Sequence, residues 1–145
     1  MPNTLGRTEG RAAGVSHVRR VRVDRERFVE SLFSPANLER KTVSALSASD
    51  IAEGRAILAR LNAMPAVTSS ESQLRGLQLG AKLRALYLSG GDLVALQQAV
   101  DMAMLDHRDL HQESECPSPA WPGITAVASD DDRTGFDRFV DWMAQ

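Results

Sequence analysis

The sequence predicts an all-α fold, a small bundle of five to six helices behind a disordered N-terminal arm. Three observations predict it. Apolar residues recur every three or four positions in six separate segments, most of these segments open on Ser or Asp, and Gly or Pro punctuates the gaps between several of them. Aromatics are only 5% of the 145 residues, so Leu, Ala, Val and Ile must carry the core, and these suit helix-on-helix packing. A chain of this length buries roughly 70% of the surface its unfolded form exposes, so it needs neither a disulfide nor a metal staple.

Residues 1–22 are polar, rich in Gly, Arg and Ser/Thr, and without periodicity, which predicts a disordered basic arm; residues 23–145 are expected to form a single helical domain. Phe28, Val29, Leu32 and Phe33 recur at helical spacing behind Asp24, predicting a first helix over 24–33. Ser34-Pro35 supplies an N-cap followed by proline at the first helical position, and a second helix with Leu38, Val43 and Leu46 should run to about 46. Ser47 with Asp50, and Asp50 with Glu53, offer reciprocal capping for a third helix. Its apolar face is Ile51, Ile57, Leu58, Leu61 and Met64, and Pro65 should end it.

Ser70 and Gln73 match a capping box for a fourth helix carrying Leu74, Leu77, Gly80, Leu83, Leu86 and Tyr87. The turn Ser89-Gly90-Gly91-Asp92 follows, and Asp92 caps a fifth helix with Leu93, Leu96, Ala99, Val100 and Ala103, which is expected to continue into His107 or His111. Residues 70–104 therefore read as an αα-hairpin. Residues 114–123 hold three prolines and a glycine and predict a loop, and 124–128 a short extended piece. Thr134 with Asp137 starts a last helix whose face, Phe136, Phe139, Val140 and Met143, is too apolar for water and should dock on the body.

Leu79-Gly80-Ala81-Lys82-Leu83, then Tyr87, Gly91-Asp92, Leu96 and Ala99-Val100, resembles a tetratricopeptide repeat, in the variant with a longer first helix and a Thr-Gly-Asp turn. The resemblance implies peptide or protein binding on a concave face. In that reading Gly76, Gly80, Leu83 and Tyr87 contact the partner. Gly76 and Gly80 each cost about 1 kcal/mol relative to Ala inside a helix, and close helix crossing, within the fold or at a homodimer seam, is the expected compensation.

The net charge of −2 conceals a gradient: residues 1–22 hold five Arg against one Glu, and residues 101–145 hold ten acidic groups against three Arg. His17 to Arg22 forms a basic cluster, and Arg19, Arg20 and Arg22 are the candidates for phosphate or nucleic-acid contact, although the acidic chain and the lack of neighbouring aromatics argue against that use. His107 and His111 stand one helical turn apart with Cys116 downstream, a spacing that zinc ligands use; a structural zinc site, however, usually draws on more than one cysteine. Asp130-Asp131-Asp132 is explained by the positive end of a helix dipole. Phosphate-cradling glycine loops, nucleophile elbows and H-E-x-x-H are absent from the sequence, so no enzyme activity and no cofactor are expected.

A single cysteine and the absence of a secretory apolar core lead to a cytoplasmic expectation, and no run approaches the ~18 apolar residues of a membrane span. The leading functional expectation is a non-enzymatic adaptor module that binds a protein partner through a helical groove, with a homodimer as one form of partner. The alternatives are a bacterial or viral host-directed virulence factor whose unfolded N-terminal tail is a targeting signal, and nucleic-acid binding through the arginines of the arm.

Overall fold

The computed structural model describes residues 19–68, 70–115 and 135–145, and among these all regular structure is helical. The polar arm up to residue 18, the proline-rich loop, the extended piece at 124–128, the triple aspartate, Thr134 and Cys116 lie outside the described residues. The chain divides after Leu32 into two units. Of the first, residues 19–32 are helical (α1), so the helix already includes residues 19–23, ahead of the expected start at 24. Residues 19–22 lack an apolar period, but arginine is itself a good helix former, and propensity carries the helix where patterning is silent. Val21 and Phe28 of α1 are exposed.

The second unit opens at Phe33 and contains α2 (Pro35–Ala45), α3 (Ile51–Ala59), α4 (Glu71–Ser89), α5 (Leu93–Leu105), α6 (His107–Glu115) and α7 (Gly135–Ala144), with 3₁₀ turns at Ala48–Asp50 and Arg60–Ala63. Three starts form as their sequence predicts. Ser34 Oγ accepts from Asn37 N at 3.1 Å with Pro35 at the first helical position, Ser70 Oγ from Gln73 N at 3.3 Å, and Asp92 Oδ2 from Ala95 N at 2.9 Å. The return half of the Ser70 box goes to a neighbour: Ser70 N donates to Thr68 Oγ1, whose hydroxyl donates to Gln73 Oε1.

The capping expected at Ser47 and Asp50 does not form. The 3₁₀ turn runs directly into α3, so Asp50 has helical φ and ψ (−100°, −9°) where an N-cap needs extended backbone, and Ser47 Oγ pairs with Ser49 Oγ instead. The fifth helix also stops short of His107. Asp106 is extended (φ −157°, ψ 111°), its N–H closes α5 on Met102 O, and its Oδ1 accepts from Arg108 N to open α6. Hydrogen bonds from the Arg108 guanidinium first, and from its backbone N–H second, hold the Asp106 carboxyl pKa down at about 2.

Leu58, Leu61, Met64, Leu88, Leu96, Val100 and Leu110 form the core, with Ala85, Ala99 and Ala103 small enough to let helices meet closely. Gly90 and Gly91 turn α4 into α5 with φ of 58° and 88°. At Gly91 a Cβ would stand 2.6 Å from Ala45 O, so both conformation and space demand glycine there. Val43, expected on an apolar face, is exposed, because α2 turns Asn37, Lys41 and Thr42 inward instead.

That polar face serves α7. Phe139, Val140 and Met143 are buried, as the apolar stripe requires, and Tyr87 of α4 packs on Phe139 and Trp142 at 5.2 and 5.4 Å between ring centres. Lys41 Nζ lies 4.4 Å from the Trp142 ring. The last carbonyls of α7 have no partner within their own helix. Asn37 Nδ2 and Arg40 Nη2 donate to Met143 O at 3.2 and 2.6 Å, and Arg40 Nη1 donates to Gln145 O.

Candidate functional site

The N-terminal half of α4 faces α6 across a cleft of about 190 Å³. Phe33, Gly76, Leu77, Gly80 and Ala81 form its apolar part, and Arg84, His107 and His111 its polar part. A wider depression of about 510 Å³ adjoins it at Leu77 and His107 and adds residues 65–67, Leu105, Asp106 and Arg108. Val67 and Leu105 are fully or almost fully exposed along it, and Leu77 is 38% exposed. Together they form an apolar rim beside a cationic inner end.

Nothing lies within 4 Å of a Cβ built at Gly76, and at Gly80 the nearest atom is Phe33 Cε1 at an ordinary 3.9 Å. Among the described residues no close helix crossing compensates for them. Their missing side chains leave the cleft open. Of the other two residues of the expected partner surface, Leu83 is wholly buried, and Tyr87 is half-buried against the aromatic rings of α7.

Gly76, Gly80 and Arg84 stand four apart on one helix, which lines them up on one face. Arg84 is 7% exposed. Its Nη1 donates to Ser114 Oγ at 2.6 Å, the Ser114 hydroxyl donates to His111 O at 2.7 Å, and the guanidinium lies 4.7 Å from the Phe139 ring. The Glu115 carboxylate is 3.9 Å from Arg84 and 3.3 Å from His111 Nε2. Burial lowers the Arg84 pKa, with Glu115 opposing. For His111, partial burial first and the Arg84 charge second hold the imidazole below its ordinary 6.5, again against Glu115.

His107 and His111 thus line one cleft, and among the described residues no group of three His, Cys, Asp or Glu is placed to hold a metal ion. Arg19, Arg20 and Arg22 are exposed at the start of α1 and are followed by Asp24, Glu26 and Glu30, with which Arg25 and Arg27 alternate in sign. No described helix is long and apolar enough to cross a membrane. Arg84, Ser114, Val67 and Leu105 were not singled out by sequence. For Arg84 a signal exists in its register with the two glycines, since an arginine inside a leucine-rich stripe needs a reason to be there.

No family model, curated protein or solved structure matches the chain.

Proposed function

We propose that the chain is a non-catalytic protein-binding module, and that the groove running from the 65–67 turn along α4 and α6 receives a peptide segment of a partner protein. One observation carries this: α4 keeps two glycines bare to an open cleft although the surrounding packing asks for neither. Each costs about 1 kcal/mol of helix stability, so a role outside folding is the reason for them. The exposed Leu77, Leu105 and Val67 supply apolar contact on the same side. The tetratricopeptide-like spacing of residues 70–104 supports the same use, because such hairpins present grooves to peptides.

Peptides selected from a displayed random library against the full chain test this reading. Substituting Gly76→Leu fills the cleft from a position with no neighbouring atoms, so the variant should fold normally and lose the selected peptides. Undiminished binding to this variant would refute the groove.

A further inference from the structure

A guanidinium carries five N–H donors. At Arg84 one of them is taken, by Ser114 Oγ, and among the described residues no second group accepts from it; the Glu115 oxygen at 3.9 Å is beyond hydrogen-bond reach. Taking a cation this deep out of water is costly unless acceptors replace the water. The side chain is nevertheless held firmly. Ser114 is fixed by its own bond to His111 O, the Phe139 ring covers the guanidinium, and Arg84 borders the cleft. These donors, held in place at the inner end of an open cleft, reached by solvent and without a second acceptor among the described residues, leave room for an acceptor of opposite charge beside Glu115.

Resting on the peptide-groove reading of this face, we propose that Arg84, flanked by His107 and His111, is a carboxylate subsite that receives an aspartate or glutamate side chain of the bound peptide. The planar fork of arginine matches a carboxylate through two parallel bonds. At about 190 Å³ the cleft is smaller than the ~300–1,000 Å³ of sites for free small molecules, and suits one inserted side chain. Phe33, Leu77 and the two glycines surround it with apolar surface, which strengthens a charge-assisted bond. Glu115 already brings one carboxylate to the edge of the cluster and offsets part of its positive charge. Its repulsion is greater for a phosphate dianion than for a singly charged carboxylate, so Glu115 favours the latter of the two.

The selected peptides provide the test. They should be enriched in Asp or Glu at one position beside apolar residues, and replacing that Glu by Gln in the peptide should weaken binding by about tenfold or more. Arg84→Lys, with its helical content checked, should weaken the Glu peptide and leave the Gln peptide unchanged. Equal weakening of both peptides would make Arg84 a structural residue and overturn the subsite. Tighter binding when phosphoserine replaces the Glu would overturn the carboxylate assignment. Peptides displaced by Gly76→Leu but indifferent to Glu→Gln would leave the groove standing and remove the subsite. Peptides indifferent to Gly76→Leu would remove both.

Discussion

Along α4, residues 81–89 are enclosed, with Leu83, Ala85, Leu86 and Leu88 at or near zero exposure, whereas residues 71–80 leave Gly76 and Leu77 in the open and Leu74 and Gly80 half-covered. The leucine spacing is similar in both halves. What differs is the company: α5 and α7 pack on the C-terminal half, while the N-terminal half borders the α6 cleft and the 65–67 turn. Periodicity alone therefore says that a face is apolar, and only the neighbours decide whether that face is a core or a docking surface.

The largest effect expected from this contrast is a difference between two identical substitutions. Leu83→Ala should cost about 2–5 kcal/mol in urea denaturation, as truncation of a fully buried leucine does. Leu77→Ala should stay within about 0.5 kcal/mol, as surface changes do. Equal costs would erase the distinction between the halves. Next comes Gly91→Ala, which forces a side chain into left-handed backbone and against Ala45 O, and should lower stability by about 1–3 kcal/mol.

Gly76→Ala works in the opposite direction. With open space around the new methyl group, it should raise stability by about 0.5–1 kcal/mol, seen as a higher melting temperature. A loss would mean that the helix meets something there after all.

The smallest effect is a pH dependence. The folded chain disfavours protonation of His111, through burial and Arg84, so the unfolded chain binds more protons at and just below the ordinary histidine value of 6.5. Stability should therefore rise with pH through that range and fall on acidification. With 56% of the side chain exposed the slope is shallow, and His111→Gln should flatten it. An unchanged slope in that variant would assign the effect elsewhere.

Much of the fold was legible in individual residues. Ser34-Pro35, Ser70, Asp92, Gly90-Gly91 and Pro65 each mark the boundary they form, because capping and turn chemistry are local. The break at Asp106 was missed, since it carries neither Gly nor Pro and depends on an aspartate that serves two helices at once. The inward polar face of α2 was missed because its reason, the unpaired carbonyls of α7, lies a hundred residues away in the chain.

Legibility of the site followed the same rule. Gly76 and Gly80 stood out as a costly pair, and His107 and His111 as a spaced pair, yet nothing local joins them. Only the packing of α6 on α4 brings the two pairs to one cleft. Arg84, which connects them, became meaningful once Ser114 and Phe139 were seen to hold it.

The open half of α4 as a receiving surface is the claim on which the rest depends, and mapping backbone amide shifts by NMR on addition of a selected peptide tests it most directly. The account predicts that the perturbed amides gather at residues 65–67, 76–80 and 105–111. Perturbations centred on the exposed Val43 of α2 or Val94 of α5, with the cleft unaffected, would contradict it.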